Sequence, residues 1–288
     1  MKQVAPLRYD VIFKKAFSHP NLFTALVKDF LGIQLTIDEV ENDKAFIPPV
    51  GSVATKFDLF AQDKKNRVIV EVQHAHDSDS FERFMYYQCS AMVETIISSG
   101  NYHFPITVIT MVFFTQKKTP SPDSGIVVHD FEPRDFITGK LLDQVYPLKH
   151  KLLLVFTNKA AHSKTPKPYR EWMQAIHDSL DGKVDETEYT NPAIAELFQV
   201  IESDKITPEE RANMKEEHNR EQTETQKFKE GEEKGKEEGL KEGKEKGLKE
   251  GKEEGMKEAA RNFKVLGTLT DEQIANATGL SLEMVKAL

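Results

Sequence analysis

The segment from Val53 to Gln73, VATKFDLFAQDKKNRVIVEVQ, limits the possible folds of this chain more than any other. It reads as two strands joined by the polar turn Ala61–Asn66, which predicts an antiparallel hairpin. Strand residues alternate between faces. Lys56, Asp58 and Phe60 therefore share one face of the first strand, and Ile69, Glu71 and Gln73 share one face of the second. If the two polar faces coincide, Asp58 and Glu71 are neighbours. Val68, Val70 and Val72 line the opposite face, and Ile69 is apolar on the carboxylate face, so the second strand reads as central and covered on both sides. Two carboxylates in such a place repel each other, and a cation, most simply a divalent metal, relieves the repulsion. A solvated strand face would carry the same pair without a metal, and spacing alone does not separate the two readings.

The flanking segments supply the rest of a sheet-and-helix core. Ile12, Phe13, Ala16 and Phe17, then Leu22, Phe23, Leu26, Val27 and Phe30, recur at helical spacing. His19-Pro20 interrupts them, so two helices are expected, the second ended by Gly32. Asp10 opens the first helix, where an acidic side chain complements the helix dipole. Gln34–Ile47 reads as an edge strand with a loop, broken by Pro48-Pro49. Phe81–Ser98 is expected to be an amphipathic helix with Phe81, Phe84, Met85, Cys89, Met92 and Ile96 as its apolar stripe. Pro105–Thr115 is a buried strand that returns the chain to the same sheet. Lys151–Thr157 suits a strand or a buried helix. Pro168–Leu180 and Pro192–Ser203 read as helices, with Trp172, the only tryptophan, as a core anchor. The Ser- and Asp-rich run after Gln73 reads as a loop, and His74 is placed to touch a substrate.

Four stretches in order carry a family resemblance: DVIFKKAF from Asp10, KFDLF from Lys56, VIVEVQ from Val68 and FERFMYYQ from Phe81. Together they resemble the PD-(D/E)xK nuclease superfamily, and within it the recombination-promoting nuclease and transposase branch. The resemblance implies an α/β, restriction-endonuclease-like core: a helix, a three-stranded antiparallel meander, a helix and a strand. It implies that Asp58 and Glu71 bind Mg²⁺ or Mn²⁺, with the carbonyl of Val72 as a third ligand. Gln73 then stands where the motif usually has a lysine. An acidic residue on the first helix assists the metal in some relatives, which here would be Asp10. Arg83, on the helix beside the hairpin, would meet a phosphate. The Gln73 amide both donates and accepts, so it orients water, but it carries no charge. Another cation has to compensate, and Lys56, on the face of Asp58, is the expected one. The motif's leading proline is also absent, with Phe57 before Asp58.

Thr207-Pro208 starts a different kind of sequence, with threonine as N-cap and proline at the first helical position. Seven glycines recur every fourth residue from Gly231 to Gly255, between Lys and Glu. Each costs a helix about 1 kcal/mol against alanine. They wind as a stripe around a helix of 3.6 residues per turn. A helical tether is the first expectation and self-association, as a homo-oligomer, the second. Ala260–Leu288 regains apolar residues and reads as helix, glycine turn, helix, with a capping box at Thr270. It resembles half of a helix-turn-helix unit but carries only Lys286 on its second helix, so a small packing module is expected. The expected division is 1–203 nuclease-like, 204–259 charged tether, and 260–288 helical module.

The formal charge is -8, split as -3 over residues 1–200 and -5 over the remainder. Neither part is a basic nucleic-acid footprint, which argues against strong non-specific DNA binding. The single cysteine, Cys89, excludes an internal disulfide and is read as core. The amino terminus lacks a signal-peptide apolar run, and no segment approaches the ~20 apolar residues of a membrane span. A cytoplasmic protein with no membrane partner is expected. The leading expectation is a metal-dependent DNA endonuclease that hydrolyses phosphodiester bonds, serving recombination or mobile-element movement. The alternative is a nuclease-like scaffold that assembles through its C-terminal helix.

Overall fold

The computed structural model describes residues 1–46, 55–74, 80–96, 100–115, 122–142, 147–161 and 163–288. By contacts the chain forms two compact units, residues 1–219 and 220–288. The first is built on a six-stranded sheet in the order β2-β3-β4-β5-β7-β6. Its strands are β2 (Glu41–Phe46), β3 (Thr55–Gln62), β4 (Asn66–Gln73), β5 (Thr107–Phe114), β6 (Ile126–Asp130) and β7 (Lys151–Phe156). β2, β3 and β4 form the antiparallel meander, β4, β5 and β7 run parallel, and β6 closes the edge antiparallel. A two-residue strand β1 (Lys2–Gln3) pairs with β8 (Lys183–Val184) apart from this sheet.

The apolar run of β4 is central, as its two-sided composition requires: Val68, Ile69 and Val70 are fully buried. Val68 and Val70 join Ile12 and Phe13 of helix α1 (Asp10–Phe17), and Leu22 and Leu26 of α2 (Pro20–Leu31), in the main core. Gly32 ends α2 at φ +68°, a backbone setting that glycine adopts without strain. Trp172 and Met173 of α4 (Lys167–Asp178) and Leu197 of α5 (Pro192–Val200) complete that layer. The other face of the sheet lies under α3 (Ser80–Val93). Phe84 and Ala91 of α3 contact apolar side chains of β3, β4, β5 and β7 there. This helix, meander, helix, strand order is the restriction-endonuclease-like arrangement.

The buried stripe of α3 differs from the expected one. Phe84, Gln88 and Ala91 face the sheet, whereas Phe81 and Cys89 are exposed. Gln88 takes the core position because both ends of its amide are used: Nε2 donates to the Val108 carbonyl at 3.0 Å and Oε1 accepts from Thr110 Oγ1 at 2.7 Å. Cys89 is therefore a surface residue. The helix ends at Val93, short of the expected Ser98. Arg67 fastens its last turn. Only 6% exposed, Arg67 donates to the Ala91 carbonyl at 2.8 Å and pairs with Glu94, and its guanidinium lies 5.1 and 5.3 Å from the Phe46 and Phe60 rings. Arg67→Met is expected to lower unfolding free energy by about 2 kcal/mol, the scale of one charged hydrogen bond plus its ring contact. Urea denaturation checks this, and a loss under roughly 0.5 kcal/mol would remove the clamp from the account.

Helix α6 spans Pro208–Leu266, with Thr207 and Glu210 exchanging capping bonds at its start. Residues 220–288 have their own small core of Ala260, Ile274, Leu280 and Val285. α7 (Asp271–Thr278) carries the capping box expected at Thr270, Gly279 turns the chain at φ +74°, and α8 (Leu282–Ala287) follows. No described helix is long and apolar enough to cross a membrane.

Candidate active site

The β3–β4 ladder pairs Gln62 with Arg67 and ends at Leu59 with Val70. One step further the same register sets Asp58 against Glu71, and there side chains replace the ladder. Glu71 Oε1 accepts from the Asp58 backbone N–H at 3.0 Å, and Asp58 Oδ2 accepts from the Val72 N–H at 3.1 Å. Each carboxylate thus satisfies the main chain of the other strand. β4 stays paired with β5 through Gln73. The carboxylates therefore sit on a held strand and not on a frayed end.

The strict alternation expected through Lys56, Asp58 and Phe60 breaks at this point. Phe57 and Phe60 are three apart and still pack in the same cluster under α3, while Leu59 joins the main core. Asp58 consequently reaches the α1 side, where its Oδ1 lies 3.9 Å from Lys14 Nζ. That ammonium also holds Asp10 Oδ2 at 2.7 Å and Asp43 Oδ1 at 2.6 Å, and its side chain is only 13% exposed. Lys56, the cation expected to compensate for Gln73, instead pairs with Asp43 at 2.9 Å and is 66% exposed. Lys14 was missed because its partner lies 44 residues away, although its i,i+4 spacing from Asp10 was visible.

Gln73 and Arg83 do meet. An Arg83 Nη2 hydrogen donates to Gln73 Oε1, and the guanidinium lies 4.8 Å from the Phe84 ring. His74 is held from two sides. Its Nε2 accepts from Arg8 at 2.7 Å, which leaves the proton on Nδ1, 2.7 Å from Thr115 Oγ1. Burial, then the Arg8 charge, lowers the His74 pKa to about 4, so the ring is neutral near pH 7. Arg8 also reaches His218 at 3.1 Å, and Glu217 accepts from the Asp10 N–H at 3.1 Å, so the first turns of α6 cap α1. Residues 75–79, within the Ser- and Asp-rich loop expected after Gln73, lie outside the described residues.

The carboxylates carry the electrostatic mark of crowding. Burial, with the Asp10 charge second, pushes Asp58 up to about 6. Burial, with the Asp58 charge second, pushes Glu71 well above the usual carboxylate range, and the Arg83 charge opposes this. Tyr87, edge-on to Phe57 at 5.4 Å, is raised by burial and by the two carboxylates. Asp10 Oδ1 is buried without a hydrogen-bond donor among the described residues.

A divalent cation fits this donor set. Burial and mutual charge disfavour ionisation of two hard carboxylates here, which a cation would offset, and a buried acceptor oxygen close by lacks a donor among the described residues. Among the described residues no three His, Cys, Asp or Glu side chains cluster closely enough to hold an ion alone. Main-chain oxygen, water and phosphate would fill the other positions, as Mg²⁺ commonly requires. No curated protein and no solved structure matches this chain. A family profile described as PD-(D/E)XK nuclease family transposase matches residues 7–231, which takes in the α1 network, both carboxylates, Gln73 and Arg83. The chain belongs to the PD-(D/E)XK nuclease family transposases.

Proposed function

We propose that this protein is a metal-dependent DNA endonuclease, with Mg²⁺ or Mn²⁺ held by Asp58, Glu71 and the Val72 carbonyl. The observation that carries the reading is the reciprocal locking of Asp58 and Glu71 by each other's backbone, with both carboxyls raised by burial and mutual charge. A bound divalent ion supplies a more acidic water and charge stabilisation at the scissile phosphate. The two carboxylates orient that ion, fixed by the Asp58 and Val72 N–H groups. Gln73, two residues beyond Glu71 on the same strand, helps to orient the attacking water through its amide, which both donates and accepts. Arg83 holds the Gln73 oxygen and supplies positive charge beside it, which opposes the charge that builds on the phosphate. Residues 1–203 carry this chemistry with the first turns of α6 packed on them, the remainder of 204–259 serves as a charged helical tether, and 260–288 as a packing module. Cleavage serving recombination or mobile-element movement in the cytoplasm is part of the same reading.

Supercoiled plasmid incubated with Mg²⁺ or Mn²⁺ tests it. Nicking that needs metal and disappears in both Asp58→Ala and Glu71→Ala is the expected result. No cleavage by the wild type, or cleavage that survives both substitutions, would sink the catalytic assignment. A scaffold that assembles through α6 would then lead. Leu240 and Leu248 stand 77% and 76% exposed on that helix.

A further inference from the structure

Lys14 is the one cation in the described site that bridges α1, β2 and Asp58. Its ammonium has carboxylate oxygens of Asp10, Asp43 and Asp58 at 2.7, 2.6 and 3.9 Å. The three acids arrive from separate elements. Asp10 is one turn before Lys14 on α1. Asp43 lies on edge strand β2, where it is the only described non-glycine residue with positive φ, at 55°. Asp58 lies at the broken end of the β3–β4 ladder. Asp58 faces two ways: Oδ2 toward the Val72 N–H beside Glu71, and Oδ1 toward Lys14. A carboxylate with one oxygen toward each of two cations is the bridging element of nucleases that use paired metals about 3.5–4 Å apart.

Resting on the metal-dependent reading above, we propose that the Lys14 ammonium occupies the place of a second metal ion. The protein then binds a single divalent cation, between Asp58 and Glu71, and Lys14 is its permanent partner across the Asp58 carboxylate. Lys14 is a positioning residue. It keeps Asp58 oriented and holds a positive charge at the far oxygen, without a second ion being recruited from solution. This assigns a role to Asp43, whose strained backbone sets its carboxylate on the ammonium, and makes Lys56 an outer partner of Asp43.

The test is the stoichiometry of Mn²⁺ binding to the full-length protein, read by electron paramagnetic resonance of free Mn²⁺ and by calorimetry. Wild type is expected to bind one ion, and Lys14→Arg, which keeps the charge, also one. Lys14→Gln leaves Asp10, Asp43 and Asp58 around a neutral oxygen donor. The Asp10 and Asp43 oxygens then close by roughly half an ångström, and the Asp58 oxygen by about three times that, to metal-ligand distance, and a second, weaker Mn²⁺ binds. Plasmid nicking by Lys14→Gln should fall by about a hundredfold at low Mg²⁺ and recover as Mg²⁺ is raised, since the added ion replaces the ammonium. Two ions on the wild type, or one on Lys14→Gln with a native circular dichroism spectrum, would overturn the proposal and leave the nuclease reading standing. No ion on the wild type would overturn both. Should Lys14→Gln fail to fold, two ions on Lys14→Arg would equally reject it.

Discussion

Asp58→Asn is expected to abolish Mg²⁺-dependent nicking and, in metal-free buffer, to make the protein more stable. The two effects have one cause. In the folded chain without a cation, burial and the Asp10 charge raise the Asp58 carboxyl to about 6, above its value in an unfolded chain. A group raised in this way contributes stability while it is protonated. That contribution is fully present below about pH 4 and is lost as pH rises through about 6. At pH 7.5 the metal-free wild type therefore carries a charge that the fold disfavours. Asparagine is neutral at every pH, and its carbonyl can still accept from the Val72 N–H. Asp58 keeps 23% side-chain exposure, so solvent screens part of the effect and the gain is about 2 kcal/mol. For a chain of this size that is a rise of roughly 4–8 °C in Tm. Activity should drop on the order of a thousandfold, the scale of several kcal/mol of lost metal-borne stabilisation.

Thermal melts in EDTA between pH 4 and 8, beside plasmid nicking with Mg²⁺, read both effects. The wild-type Tm should decline through about pH 6, the Asp58→Asn profile should be flatter, and Mg²⁺ should raise only the wild type at neutral pH. An inactive Asp58→Asn that is also less stable at pH 7.5 would mean that Asp58 is a structural carboxylate whose charge the fold uses. The site would then hold protons and ion pairs without a metal role.

The second large effect is expected at Trp172. The side chain is fully buried in the main core, 6.0 Å from the Phe17 ring, and its Nε1 donates to Asp29 Oδ2 at 2.7 Å. Asn191 donates to the same oxygen, also at 2.7 Å. One aspartate of α2 thereby ties α4 to the N-cap of α5. Trp172→Ala removes the largest core side chain and leaves a cavity, at about 3–5 kcal/mol. Trp172→Phe keeps most of the ring packing and loses the indole donor, at roughly 1–3 kcal/mol, with Asn191 limiting the loss. Because this is the only tryptophan, unfolding in urea must be followed by circular dichroism and not by fluorescence. Equal losses in the two variants would show that the hydrogen bond, and not ring volume, sets the cost. A loss under about 1 kcal/mol in Trp172→Ala would remove it as the anchor of this layer.

The sequence by itself determined the parts whose causes are local. The two-sided apolar run of β4, the breaks at Pro20 and Gly32, the caps at Thr207 and Thr270 and the hairpin that carries Asp58 and Glu71 all follow from periodicity or turn chemistry within a few residues. The meeting of Asp58 with Glu71 was legible because hairpin register fixes it. Tertiary structure decided the rest. The ladder stops at Leu59 and Val70 because each carboxylate takes a backbone N–H from the opposite strand, which strict alternation cannot anticipate. Asp58 turns toward Lys14 and away from Lys56 because α1 packs against β3 where its ladder with β4 stops, bringing together residues 44 apart in sequence. Gln88 displaced Cys89 from the core because Val108 and Thr110 on β5 offer both of its amide ends a partner. An apolar stripe reports hydrophobicity one residue at a time, whereas a buried amide is decided by acceptors and donors on another strand, and only the folded chain sets those side by side.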